Sequence, residues 1–231
     1  MMMPYKLVLW RTGVNEELQS QDTTNDDNER EEGKLEELTE EGRARIRKEQ
    51  AEARAKRAAA KGLVIVNTGD GKGKSTAALG VLMRSWGQEM RVVMLQFLKS
   101  KTGKWGEIRA AQRMGVEIIP LGQGFTWTSE NIEQDRALAQ SCWQQCREKI
   151  ESGSYDIVIM DELTYALNFH WLDIEEVLST LRQRDPTMHV IITGRDAPEA
   201  LIAFADMVTE MREVKHPFKT QGILAQKGIE F

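Results

Sequence analysis

Apolar and polar positions are unevenly spread along this chain. From Leu63 onward, short continuous apolar runs recur, with amphipathic stretches between them. LVIVN (63–67), RVVMLQF (91–97), VEIIP (116–120), DIVIM (156–160), HVIIT (189–193) and MVTEM (207–211) have the length and β-branched content of buried strands. The stretches between them predict helices over 74–86, 105–114, 130–151, 173–183 and 198–205. Apolar runs without alternation, separated by helices, indicate a mostly parallel sheet covered by helices on both faces. Residues 62–231 are therefore expected to form one α/β domain. Such folds bind ligands at the carboxyl ends of their strands.

Ahead of that domain the pattern stops. Residues 15–33 contain a single Leu as their only sizeable apolar side chain, too little to offset the entropy of ordering. Residues 1–33 are expected to be a disordered acidic leader, although Tyr5–Trp10 could pair as a stray strand. Residues 34–61 are rich in Ala, Glu, Arg and Lys, with acids early and bases late, as suits a helix dipole. Gly42 is expected to interrupt this helical arm. Its pattern alone fits a solvated helix, or an arm that orders over a ligand or partner.

Composition narrows the class. The chain has 231 residues, 31 Lys and Arg against 36 Asp and Glu, and a formal charge of −5. A mildly acidic chain lacks the basic face that counterion release demands, so bulk nucleic-acid binding is excluded. No apolar run approaches the roughly 20 residues of a membrane span. The N-terminus lacks the apolar core and cleavage site of a secretory signal, and the expected location is cytoplasmic. Cys142 and Cys146 lie four apart in a helical pattern, and reduced thiols are expected.

The candidate chemistry starts after the first strand. Thr68-Gly69-Asp70-Gly71-Lys72-Gly73-Lys74-Ser75, followed by Thr76, lies between a predicted strand and a predicted helix. Gly73-Lys74-Ser75 fits the end of the phosphate-loop pattern, whose first position is normally Gly and is Thr68 in this chain. The glycines let successive N–H groups turn toward anionic oxygens, Lys74 adds charge, and Ser75 offers a hydroxyl to Mg²⁺. Strand 156–160 runs into Asp161 and Glu162, the form of a Walker B strand whose acid holds the same ion. Together these predict a RecA-like, P-loop NTPase-like fold that binds ATP. Further on, Phe125 and Trp127 stand one residue apart in Leu121-Gly-Gln-Gly-Phe-Thr-Trp127, beyond a strand tip. They could face a ligand or pack beneath their loop.

The motifs TGDGKGKST, VVMLQFLKS with WGE, GVEIIPLGQGFTW, DIVIMDELTYAL, HVIITGRDAP and ADMVTEMREVKHPF with a terminal GIEF occur in one order. In that order and spacing the chain, from about Lys34 to Phe231, resembles the P-loop ATP:corrinoid adenosyltransferases. Thr at the first loop position is normal there; Ser75 stands where Thr is more usual. The resemblance implies a cob(I)alamin or cob(I)yrinic acid a,c-diamide adenosyltransferase in adenosylcobalamin biosynthesis or salvage. It implies ATP and reduced corrinoid as substrates, Mg²⁺ or Mn²⁺ as cofactor, a homodimer, and a flavoprotein as reductant. ATP would lie in the loop with reversed polarity, its triphosphate held by Lys72, Lys74 and Arg84, its metal by Ser75, Asp161 and Glu162. Phe125 and Trp127 would press on the lower corrin face, and residues 34–61 would fold over the corrinoid. The catalytic set so implied is Lys74, Phe125 and Trp127.

Two other readings compete. In a RecA-like ATPase Glu162 would orient water, giving ADP and phosphate in place of tripolyphosphate. A nucleotide-gated corrinoid carrier would bind both ligands without alkylating cobalt.

Overall fold

The computed structural model describes Gly42, Ala44, Arg45, Lys48 and residues 61–100, 102–122 and 132–230. The expected leader, most of the arm, and Phe125 and Trp127 lie outside the described residues. The chain divides into two units, Met1–Ala59 and Ala60–Phe231. In the first, Gly42, Ala44, Arg45 and Lys48 are helical, and the residues on either side of Gly42 lie outside the described ones.

The second unit is built on a six-stranded parallel sheet. The strands are β1 (Val64–Thr68), β2 (Val92–Ser100), β3 (Glu117–Gly122), β4 (Ile157–Asp161), β5 (His189–Thr193) and β6 (Met207–Glu210), ordered β3-β2-β4-β5-β1-β6. The helices are α1 (Lys74–Trp86), α2 (Gly106–Met114), α3 (Ile132–Glu151), α4 (Leu163–Asn168), α5 (Ile174–Gln183), α6 (Glu199–Phe204) and α7 (Pro217–Gln221). The five helices expected from periodicity are present. α4 and α7, of six and five residues, are too short to show a period and were not expected.

Strand side chains alternate between two cores. Val64, Val66, Val93, Leu95, Val158, Met160, Val190 and Ile192 pack with Cys142 and Trp143 of α3, Leu163 of α4, Val177 of α5 and Leu201 of α6. Val92, Met94, Ile157, Ile159 and Ile191 pack on the opposite face with Ala78 and Leu82 of α1. With both faces covered, the central strands need apolar residues at successive positions, and the period-two signal disappears from their sequence. β6 departs from that expectation: all four of its residues are exposed. Among the described residues it is an edge strand that pairs with β1 and has no strand on its other side. Cys142 and Cys146 are buried thiols that are not joined in a disulfide, and burial pushes the Cys146 thiol well up. Among the described residues no helix is long and apolar enough to cross a membrane.

Candidate functional site

The loop from β1 to α1 is fixed mainly by backbone. Gly69 and Gly73 have φ of 93° and 115°, in the left-handed region that favours glycine. A Cβ on Gly71 would lie 2.7 Å from the Met211 carbonyl oxygen, so the segment leaving β6 admits nothing larger there. That closeness is used: Gly71 N–H donates to Met211 O at 2.6 Å, and Met211 N–H donates to Thr68 O at 2.8 Å. α1 begins at Gly73 with no side-chain cap, so its first N–H groups have no side chain to satisfy them and suit an anion. Lys74 Nζ donates to Gly69 O and Gly71 O at 2.6 and 2.7 Å. Burial lowers its pKa first, and the nearby Arg195 guanidinium lowers it further. Thr68 has a structural use that glycine could not serve: its hydroxyl accepts from Ala197 N–H at 3.0 Å, joining the loop to the β5–α6 connection.

The tip of β4 lies two strands away in the sheet order and has the opposite charge. Asp161 is 1% exposed; its carboxylate accepts from the Thr193 hydroxyl at 2.6 Å and from the Gln96 amide at 3.2 Å. Glu162 follows at φ 64°, and its N–H donates to Thr193 Oγ1 at 2.9 Å. Burial, and then the charge of Asp161, push its carboxyl up to about 7, against the pull of Lys99, Lys74 and Arg195.

Between these walls lies a cavity of about 880 Å³. It runs from Gly71–Thr76 past Glu162 and Tyr165 to Lys99 near the end of β2 and Trp105 beyond it, with Phe169, Arg195 and Glu230 also in its lining. Lys99 pairs with Glu107 and sits 5.0 Å from the Trp105 ring centroid. Burial lowers its pKa, opposed by Asp161 and Glu162.

Comparison with known proteins shows the family to which the chain belongs. A family model described as ATP:corrinoid adenosyltransferase BtuR/CobO/CobP matches residues 60–231. Among curated relatives, a corrinoid adenosyltransferase of Sinorhizobium sp is 41% identical over 74% of this chain and 81% of its own length. The corrinoid adenosyltransferase of Escherichia coli K12 is 40% identical over 80% of this chain and 93% of its own. The corrinoid adenosyltransferase CobA of Salmonella typhimurium is 40% identical over 74% and 86%. The chain belongs to the ATP:corrinoid adenosyltransferase family. As a corrinoid adenosyltransferase it transfers an adenosyl group to a corrinoid, and the RecA-like ATPase reading is not favoured. Domain III of the Thermotoga maritima replication initiation protein DnaA matches at a TM-score of 0.35 and 13% identity, covering 71% of this chain and 60% of that one, which carries no argument.

In this adenosyltransferase the structure brings Lys72, Lys74, Ser75, Thr76 and Glu162 to one cavity, and places Asp161 in the strand tip beside it. Asp70 is exposed and faces Arg195, with an oxygen 3.9 Å from Nη1. Arg84 is not brought in. It is exposed in the last turn of α1, ten residues and about 15 Å along the axis from Lys74, and does not line the cavity. Sequence reading assigned no role to Lys99, Trp105, Tyr165, Phe169, Arg195 or Glu230, all of which line it. Lys99 and Arg195 could have been found as cations at or just beyond strand ends. Glu230 carried no such mark.

The donors offered to a metal are the Ser75 hydroxyl and the two carboxylates, all hard oxygens of the kind Mg²⁺ prefers. Three features fit a cation: adjacent carboxylates, one of them resisting ionisation, and Gln96 Oε1, a buried acceptor without a hydrogen-bond partner beside Asp161. Among the described residues no group of three or more His, Cys, Asp or Glu side chains could hold a metal by itself. A metal would therefore have to complete its coordination with substrate oxygens and water.

Proposed function

We propose that the enzyme transfers the 5′-deoxyadenosyl group of ATP to cobalt(I) of a corrinoid and releases intact tripolyphosphate. The cobalt(I) electron pair forms the bond to C5′, and the C5′–O bond breaks with its pair departing on the triphosphate. No proton moves, so no general base is required. The protein's work is to hold the leaving group and align the reacting atoms. The observation that carries this reading is the cavity itself, with loop N–H groups, Lys72 and Lys74 on one wall and room to extend across the strand tips to β2.

Thr68 to Thr76 are the proposed triphosphate cradle, with Lys74 the main charge opposed to the leaving group. Arg195 joins it as a third cation, on the strength of its place in the cavity wall. Ser75, Asp161 and Glu162 would hold Mg²⁺ or Mn²⁺, which when bound supplies charge neutralisation on the phosphates. Phe125 and Trp127 keep the role of pressing on the lower corrin face. Removing the axial ligand makes cobalt(II) easier to reduce. A homodimer, a flavoprotein reductant, a cytoplasmic location, and closure of residues 34–61 over the corrinoid complete the proposal. Limited proteolysis with and without corrinoid and MgATP tests the last of these.

The deciding experiment is anaerobic incubation with MgATP and chemically reduced corrinoid. The cobalt–carbon bond should appear in the absorbance spectrum with one tripolyphosphate per product. ADP and phosphate without alkylated cobalt would overturn the proposal. Parallel rates with cobalamin and cobyrinic acid a,c-diamide would identify the preferred corrinoid.

A further inference from the structure

The phosphate loop has a charged partner from the far end of the chain. Lys72 Nζ donates to Glu230 Oε2 at 2.6 Å, across 158 residues of sequence. A turn delivers the carboxylate: Gly228 has φ 82°, and the N–H groups of Ile229 and Glu230 both donate to Gln226 O, at 3.2 and 2.9 Å. Lys72 and Glu230 both line the nucleotide cavity. A carboxylate at the wall of a site for a polyphosphate is electrostatically unfavourable for binding, so its placement needs a reason.

The proposed reaction supplies one. When the leaving group is the whole triphosphate, nearly every contact that held the substrate's phosphates also holds the product. Such a product leaves slowly unless something takes over its contacts. Of the loop's two lysines, Lys74 is bound to neutral carbonyl oxygens, whereas Lys72 has a full negative charge as an alternative partner. The Lys72 and Glu230 side chains are 49% and 26% exposed. Ion pairs this open to water are weak, so the pair can open for ATP and re-form as product departs.

We propose that Glu230 is a release residue that competes with the triphosphate for Lys72 and so speeds the departure of tripolyphosphate. The inference rests on the adenosyl-transfer reading above and adds a function for the C-terminal turn. Glu230 acts through Lys72 and is a positioning residue.

The test is equilibrium binding of inorganic tripolyphosphate with Mg²⁺ to the full chain, followed by calorimetry. Glu230→Gln should bind it about fivefold tighter, the factor of one exposed ion pair, and show a lower kcat with stronger product inhibition. Glu230→Asp, which keeps the charge, should stay near the parent and guards against a merely structural effect of the Gln substitution. In a Lys72→Met background, Glu230→Gln should change binding by less than about twofold. Unchanged or weaker binding by Glu230→Gln overturns the proposal. A full fivefold effect persisting without Lys72 also overturns it, because Glu230 would then act by direct repulsion. The binding measurements need no turnover, so they stand apart from the product analysis that tests adenosyl transfer itself.

Discussion

The two walls of the cavity reach the same place by different means. The β1–α1 loop is held by backbone: its glycines, the Met211 carbonyl and its own carbonyls around Lys74 set its shape. The β4 tip is held by side chains, with Thr193 and Gln96 both donating to Asp161 and Glu162 half-buried beside it. The first wall presents donors and positive charge, the second acceptors and negative charge. The loop should therefore be sensitive to added atoms and tolerant of lost side chains in its stability. The tip should be sensitive to charge and pH.

The largest expected effect is on activity without stability. Lys74→Ala removes the charge proposed to oppose the leaving group, and kcat/KM should fall about 10²- to 10³-fold. Its thermal midpoint should stay near the parent's, because the backbone bonds from Gly71 to Met211 and from Met211 to Thr68 still hold the loop. A large drop in the midpoint would show that Lys74 holds the loop together.

Gly71→Ala should do the reverse of that separation by touching both properties. Its Cβ would meet backbone atoms of Met211 and Arg212 at 2.7 to 2.8 Å, which cannot turn aside like a side-chain end. A loss of about 1–3 kcal/mol in denaturant unfolding is expected, together with weaker ATP binding. Unchanged stability would mean that the segment after β6 is free to move away.

At the β4 tip the prediction is a pH dependence. Glu162 titrates near 7 when folded, against 4.5 ordinarily. Below pH 4.5 it is neutral in both states and costs nothing. Between 4.5 and 7 the unfolded chain ionises first, so stability falls; above 7 the loss is complete. Without metal or nucleotide, Glu162→Gln should therefore gain about 1–2 kcal/mol over the parent at pH 8 and nothing at pH 4. Melts across that range check it, and a flat difference would contradict the burial and repulsion assigned to Glu162.

The smallest effect concerns Arg84, which lies on neither wall. Arg84→Ala should leave the KM for ATP within about twofold, as for an ordinary exposed side chain. A tenfold rise would return Arg84 to the triphosphate by a route outside this chain's own cavity.

Much of this was legible in the residues. The six apolar runs became the six strands, and Thr68–Thr76 and Asp161–Glu162 fell at strand ends because continuous apolar runs stop where chemistry begins. β6 misled, because an edge strand has the same local composition as a central one. α4 and α7 were missed because helices of six and five residues span fewer than two turns.

The division has a physical cause. The sequence by itself determined the class of fold, the glycine-rich turn after β1 and the family, because periodicity and short-range motifs are local in the chain. Tertiary structure alone decided that Thr68 binds Ala197, that Met211 closes on Gly71, that Gln96 and Thr193 hold Asp161, and that Glu230 reaches Lys72. Each of those contacts joins residues separated by at least 32 positions, as for Thr193 and Asp161. No local pattern encodes such distances. The order of strands in the sheet creates them.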